Sequence, residues 1–580
     1  MRRVTQRTAL LVLTALSAAA PACSSCQSSS PSGGAEAATP VLDESPVPAP
    51  AGLLAEVRLH APDALWSKIQ NGVSGAVALL PPTAGEMVSV MAGVDRRVAP
   101  LVDGKATAFG AIADASSGAG GVAWAVALPL TDATAASATL LAGDAGATPP
   151  REVGGVRLVP SADRGTPMVV GLRGRWLVVA GGEDDAKLLA PYVTRTMPAS
   201  TAPADGAAIV ADAPASALAG PLGRKLAAAW DDERAWLTAR DEEQRAKHGG
   251  RAPDFGDPRP IVEAIDGAVK TRVALLTAAQ HARLTLDAGD DEVHAELLVT
   301  PGTDAASASY VAAMAPGSAA PIGQLPADAV VAILARGNGA SRVEDSTTLE
   351  GVLAHALGDR VHEDDARAIH SAMDDWAHAH GDWWAAGLAL GPAPAAAGVW
   401  LRTPAEGDDA PRALRELVDL SHRGAARELL AGGFHLAPAA VASTDLPGGG
   451  KAMVATFAAT SPKGGTPAGG PSLGLAWTVR DGLVQVAAGP LPAGLLAAGL
   501  APGARVTGDA RAARALDALH EDASFAVFAR PLLFDPSRFG ADAARAPAVL
   551  AWGRKAGGPW ARVELADLVL RELLHLKSGL

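Results

Sequence analysis

Two stretches of this chain read out the same succession of strands, hairpins and helices, and a repeated succession constrains a fold more than any single motif does. Residues 53–60 alternate as a half-buried strand does, then run into Pro62, Asp63 and the apolar positions Leu65 and Ile69 of a short helix. Residues 329–335 do the same ahead of a helix over about 347–357. A second strand, 122–126, closes at Thr131 and Asp132 before a helix, and 399–401 leads through Asp409 and Pro411 into a helix over 412–420. Leu54 and Val330 stand 276 positions apart, and so do Trp124 and Trp400.

Both stretches continue alike. Apolar runs at 168–172 and 176–180 flank Arg173-Gly174, and runs at 476–479 and 483–488 flank Asp481-Gly482. Asp-Gly between alternating runs signals a hairpin, because that tight turn needs positive φ. A helix follows each hairpin, over 184–192 and 492–499, and each stretch ends with a further hairpin and helix. These are 282–287 with 293–299 before 305–314, and 549–552 with 560–563 before 565–576. The expected fold is α+β: two related halves, 51–320 and 326–580, each a mixed or antiparallel sheet with helices. Residues 215–270 have no counterpart in the second half. Leu222, Leu226, Trp230 and Leu237 predict a long helix over 215–248, stopped by Gly249-Gly250, and Ile261, Ile265 and Val269 predict a second. This helical insert in the first half is a candidate partner surface.

The N-terminus supplies an address. Arg2, Arg3 and Arg7 precede an apolar run over 9–20 that is too short to span a bilayer, so 1–22 read as an export signal. Ala20-Pro21-Ala22-Cys23 resembles a bacterial lipobox, although Leu is more usual at the position of Ala20 and Pro21 is atypical. The resemblance covers this segment alone. It implies that Cys23 becomes the lipidated first residue, anchored in the bacterial cell envelope on a periplasmic or outer surface, so that a membrane is one partner. Residues 23–50 are rich in Ser, Pro, Gly and Ala and predict a disordered tether. The body loosely resembles, in layout, uncharacterised bacterial envelope proteins of repeated α+β units, a likeness that implies no activity. Cys23 and Cys26 form C-x-x-C but lack the folded context of a redox motif, and they are the only cysteines, so the body depends on burial rather than disulfides.

Composition narrows the function classes. At 49% hydrophobic and 19% charged over 580 residues the chain is globular, and its net charge of -13 argues against a nucleic-acid partner. The richest polar stretch runs from His362 to Asp382. His370, Asp374 and His378 share one helix face, where an adjacent pair could contribute to a divalent metal site. All three cannot hold one ion, because eight residues of helix rise about 12 Å. The same pattern is that of a solvated helix face, and His380 falls on the apolar arc.

Gly470-Pro471-Ser472-Leu473-Gly474 matches G-x-S-x-G with Asp509, Asp517 and His520 downstream, but a loop precedes the serine and a strand follows it, the reverse of a nucleophile elbow. Gly118-Ala119-Gly120-Gly121 precedes a strand, and neither the segment at Gly104 nor that at Gly448 has the full P-loop spacing, so no cofactor is expected. Trp376, Trp383 and Trp384 cluster near the polar helix. A strand beginning Trp383-Trp384 points one ring to each face of its sheet, one to the core and the other left for a ligand or the core. The expectation is a non-catalytic envelope lipoprotein that binds or scaffolds an envelope protein, a polymer or a small ligand. The alternatives are an envelope hydrolase, metal-assisted through the polar helix, and a solute-binding lipoprotein.

Overall fold

The computed structural model describes residues 43–578 apart from 73–80, 92, 115–121, 142–150, 160–167, 201–205, 248–258, 290, 358–359, 391–396, 448, 461–472, 504, 536–537 and 557. The chain forms two compact units. The first comprises Met1–Leu222, Gln280–Ala295 and Leu570–Leu580, and the second Gly223–Ala279 and Glu296–Val569.

In unit 1 the strands are β1 (Leu53–Leu59), β2 (Ala108–Asp114), β3 (Val122–Pro129), β4 (Glu152–Val153), β5 (Val156–Leu158), β6 (Val169–Arg173), β7 (Trp176–Ala180), β8 (Ile209–Pro214) and β9 (His281–Ala288). They pair in the order β4-β5-β6-β7-β3-β2-β1-β8-β9, antiparallel throughout. The strand β10 (Glu292–Thr300) is divided between the units. Around β3 and β7 both faces of this sheet are covered. Leu189 and Ala190 of the helix Glu183–Pro191 bury one face, and Ala136 and Leu140 of the helix Ala133–Leu141 bury the other.

In unit 2 the strands are β11 (Ala329–Arg336), β12 (Trp383–Ala389), β13 (Gly398–Pro404), β14 (Ala440–Asp445), β15 (Lys451–Phe457), β16 (Leu473–Arg480), β17 (Leu483–Gly489), β18 (Ala523–Ala529), β19 (Ala548–Lys555) and β20 (Gly558–Ala566). Their order is β14-β15-β16-β17-β13-β12-β11-β18-β19-β20, again antiparallel throughout. Strand for strand, from β4 to β9 and from β14 to β19, this is the order of unit 1. The two first strands also carry a register shift at the same place, between Leu53 and Ala55 in β1 and between Ala329 and Val331 in β11, so Leu54 and Val330 occupy the same position in their strands. The pairing of Trp124 with Trp400 does not. Trp124 lies opposite Ile112, which lies opposite Ala55, whereas Trp400 lies opposite Gly387 and so shares a face with Ala332, the counterpart of Glu56. A slip of one residue carries a strand side chain to the other face.

Hairpin chemistry follows the sequence closely. Asp481 and Gly482 take φ of 54° and 72°, as a two-residue turn between Arg480 and Leu483 requires, and Gly174 takes 53° between Arg173 and Trp176. The insert departs from expectation. Gly220 has non-helical angles and Pro221 follows it, so the long helix begins only at Gly223 and runs to Lys247. It joins the helix Arg259–Ala278 through Trp230 Nε1 donating to Asp266 Oδ1 at 2.7 Å and Arg234 pairing with the same carboxylate at 3.7 Å. Both helices belong to unit 2 by their contacts, although they precede the second half in sequence.

Residues 43–50, expected to belong to the tether, are held in place. Val47 exchanges hydrogen bonds with Thr196 Oγ1 at 2.8 and 2.7 Å, Arg195 pairs with Asp43 at 2.6 Å, and Arg173 donates to the Asp43 carbonyl at 2.8 Å. Residues 43–50 are therefore docked on unit 1.

The sheet of unit 2 has two unlike faces. On one, Ala332, Leu334, Ala526, Phe528 and Ala551 are fully buried, packed with Leu496 of the helix Pro492–Leu500 and Leu516 of the helix Ala510–Asp517. Fully burying a side chain such as Phe528 stabilises by roughly 1.5–3 kcal/mol. The other face is just as apolar. Reading across the strands, Val563, Leu550, Val527, Ile333, Ala386, Leu401, Val486 and Trp477 lie opposite one another in a single row. The last two are buried, at 8% and 2% exposure, among Ala413, Leu414 and Val418 of the helix Ala410–Asp419. From Leu401 to Val563 no residue of the row is buried, and Leu550 is 40% exposed.

Candidate functional site

A cleft of about 130 Å³ opens at the β20 end of this half-buried face. Its floor is sheet: Leu297 and Val299 of β10, Trp552 of β19 and Ala561 of β20. Trp552 is fixed there by stacking on Phe525 of β18, with ring centroids 4.0 Å apart and planes 14° from parallel. One wall is the C-terminal part of the helix Arg259–Ala278, which presents Leu275 and Leu276. The other wall is Tyr310 of the helix Ala305–Ala313 and Met314 just beyond it. The volume suits a small ring or a few methylenes, and the lining is hydrocarbon and aromatic but for two polar groups. These are the Tyr310 hydroxyl and the exposed Arg272, whose guanidinium lies over the Trp552 ring at 5.4 Å.

The nearest polar cluster, on the opposite face of β19 and β20, is internally neutralised. Glu296 pairs with Lys555 at 2.9 Å and Arg562 at 3.7 Å, and Arg562 also holds Glu564 at 2.8 Å. Burial pushes the Glu296 carboxyl up, but the hydrogen bond and charge of Lys555 and the charge of Arg562 outweigh it and hold it below the usual carboxylate range. Both walls and the floor were legible as helix or hairpin, yet nothing local in the sequence joins residues 272, 310 and 552 in one site.

The residues singled out in the sequence are placed as follows. Cys23, Cys26, Gly118–121, Gly448 and Ser472 lie outside the described residues. His370, Asp374 and His378 share the helix Glu363–Ala379 as expected, and all three are exposed. The His370 Nδ1 lies 2.8 Å from Glu350 Oε2, and the His378 Nδ1 lies 2.8 Å from the Asp374 carbonyl oxygen. The hydrogen bond and charge of Glu350 hold the His370 imidazole above its usual range, which disfavours the neutral ring a metal needs. Among the described residues no three His, Cys, Asp or Glu are arranged to hold a metal ion. Asp509 accepts from the backbone N–H of Arg511 at 2.9 Å and faces Arg530 at 3.5 Å, so it serves as a helix cap, and His520 is exposed in a turn at φ 50°. Trp383 packs on the core while Trp384, opposite Ala335, stands half-buried on the other face.

His380, expected on the apolar arc, is half-buried against Trp376, with ring centroids 5.0 Å apart. Burial, assisted by the charge of Arg342, holds its imidazole below the usual value of 6.5 despite a hydrogen bond to the Gly381 carbonyl. The unfolded chain therefore takes up this proton first, and the stability gained from a neutral His380 is present above about pH 6.5 and lost as pH falls toward the folded value. His380→Gln is expected to flatten the pH dependence of urea unfolding just below pH 6.5; an unchanged slope contradicts this.

Among the described residues no helix is long and apolar enough to cross a membrane. No family model matches the chain, and no curated protein matches it. Among solved structures it is similar to crystal form III of TP0453, at 10% identity over 46% of this chain and 100% of that chain, with a TM-score of 0.20. A likeness of that size carries no argument, and function has to be read from the chain's own geometry.

Proposed function

We propose that this chain is a non-catalytic, lipid-anchored binding module of a bacterial cell envelope, whose ligand site is the cleft of unit 2. The observation that carries the binding reading is the apolar face of β20, β19, β18, β11 and β12, half-exposed where the same face is buried under a helix at β16 and β17. Leaving such a surface in water forgoes about 25 cal/mol for every Å² that could be buried, a cost that binding a ligand would recover. The cleft lining favours binding over turnover, since Arg272 and Tyr310 are not a nucleophile and base pair. The envelope address rests on the N-terminal signal and Cys23.

The test uses the neutral fluorophore N-phenyl-1-naphthylamine with the protein expressed in a lipoprotein-processing bacterium. Saturable binding is expected, and Leu276→Asp, which sets a charge in the cleft wall, is expected to weaken it at least tenfold without lowering the melting temperature. Unsaturable uptake, or binding indifferent to Leu276→Asp, overturns the site. In the same cells the protein is expected in the membrane fraction and its Cys23→Ser form in the soluble one; identical partition of the two overturns the anchor.

A further inference from the structure

We propose that Arg402, Arg505 and Gln485 of unit 2 form a site for a dianionic phosphate group, carried by the free ion or by a small phosphate monoester. The site goes beyond the binding reading above and does not rest on it, since it stands on β13 and β17, away from the cleft and on the other face of the sheet. Arg402 and Gln485 lie directly opposite one another on those two strands, which puts their Cβ atoms about 5 Å apart on one face. It is the core face, because Trp400 and Ala487, two residues along from each, belong to the buried cluster that includes Leu495 and Leu496. The helix Pro492–Leu500 packs on β13 here, with Trp400 Nε1 donating to the Leu495 carbonyl at 3.0 Å. Arg505 folds back on the C-terminal end of that helix and donates to the carbonyls of Gly499 and Ala501 at 3.0 and 2.9 Å. The segment 324–326 ties the two arginines together: Arg402 donates to the Gln324 carbonyl at 3.1 Å, the Val506 N–H donates to the Leu325 carbonyl at 3.0 Å, and Arg505 forms a β-bridge with Pro326.

The charge gathered there is unbalanced. Both arginines are half-buried, and among the described residues neither has an ion-pair partner. Burial, and after it the charge of Arg505, hold the Arg402 guanidinium below the usual arginine range, with no carboxylate to offset them. A chain with 62 acidic residues against 49 basic ones has thus brought two cations together without an acid. Donors are also left over. Arg402 Nη2 and Arg505 Nε make no hydrogen bond and remain open to solvent. Gln485 is 7% exposed, yet its amide makes no hydrogen bond within the protein and is not sealed from solvent. A polar side chain so deeply placed ordinarily has a partner. Capping the helix Pro492–Leu500 accounts for part of the Arg505 guanidinium, but it gives no role to Gln485 and none to a second charge beside the first. Two guanidiniums and an amide N–H match a phosphate dianion, which balances both charges and has three acceptor oxygens for the three groups. A carboxylate would leave one charge unbalanced.

The experiment titrates the full-length protein calorimetrically with inorganic phosphate, glycerol 1-phosphate and acetate, in chloride buffer of fixed ionic strength. Saturable binding of one phosphate group per chain is expected, with acetate at least about tenfold weaker. Tighter glycerol 1-phosphate than inorganic phosphate supports an ester as the source of the group, and the reverse order supports the free ion. Glycerol 1-phosphate is expected to bind more weakly as pH falls through about 6, where the ester loses its second charge. Arg402→Met is expected to weaken phosphate at least about tenfold and to leave the fluorophore's affinity for the cleft unchanged, so the two sites can fail separately. Gln485→Met, which removes the amide and keeps the volume, is expected to weaken it about threefold to tenfold, and it decides the matter should Arg402→Met fail to fold. Absence of saturable phosphate binding to the unaltered protein overturns the site, and so does phosphate binding that neither variant weakens. Acetate bound as tightly as phosphate overturns the dianion assignment.

Discussion

Asp212→Ala is expected to destabilise unit 1 by about 3–5 kcal/mol, because it leaves the buried guanidinium of Arg58 without its closest carboxylate. Asp212 stands on β8 between β1 and β9, and its side chain is 11% exposed. One carboxylate oxygen takes Arg58 at 2.9 Å; the other takes Arg283 at 2.8 Å and His281 at 3.0 Å. Arg58, itself 9% exposed, would keep only Glu56 at 3.3 Å and Ser200 at 3.1 Å. The contrast is with Arg97 and Asp95, which approach to 2.6 Å but at 78% and 37% exposure, where water and salt screen the pair. Asp212→Asn keeps the shape and some hydrogen bonding, so its loss is expected to fall between wild type and alanine. Urea unfolding followed by a probe in unit 1 measures both. A loss below about 1 kcal/mol for Asp212→Ala would show that desolvation of the ions cancels their attraction.

Much of this architecture was written locally. The turns at Gly174 and at Asp481-Gly482 are forced by residue chemistry, so both hairpins and the helices after them could be read directly. Several central strands could not. The sequences AFGAIAD in β2, IVADAP in β8 and ASFAVFA in β18 are alanine-rich, and alanine favours helix when isolated. What holds alanine in a strand here is close packing: Ala108, Ala113, Ala523 and Ala526 are fully buried, and a larger side chain would not fit. The docked segment 43–50 has no periodicity because it is secured by Arg173, Arg195 and Thr196, far away in sequence.

The site was harder to read for a related reason. Alternation separates the two faces of a strand such as β11, but both of its faces are apolar. Only the placement of the helix Ala410–Asp419 over β16 and β17, and not over β11, β18 and β19, leaves one face of those strands less completely buried. A polar motif search looks elsewhere, at the helix carrying His370, Asp374 and His378, whose imidazoles are already engaged by Glu350 and by the helix's own backbone.

Arg530→Ala is expected to cost unit 2 about 3–5 kcal/mol, and the comparison with Arg530→Met separates charge from volume. Arg530 follows β18, its backbone N–H donates to the Val330 carbonyl at 2.7 Å, and its side chain is 1% exposed. The guanidinium donates to the carbonyls of Ala327 and Ala329, packs against the Phe528 ring at 5.1 Å and faces Asp509 at 3.5 Å. Burial holds it below the usual arginine range and Asp509 pulls it back, but an arginine remains charged, so its desolvation must be repaid by these partners. Alanine removes the charge and the volume together, orphaning two carbonyls and opening a cavity beneath Phe528. Methionine fills much of the space and orphans the carbonyls alone, so its loss is expected to be about 1–3 kcal/mol. Asp509 is cushioned in either variant, since it caps the helix Ala510–Asp517 through the N–H groups of Arg511 and Ala512. A double-mutant cycle with Asp509→Asn should therefore return a coupling well below the loss in Arg530→Ala. If the coupling instead accounts for the whole loss, the ion pair and not the carbonyl contacts is what keeps an arginine in this core.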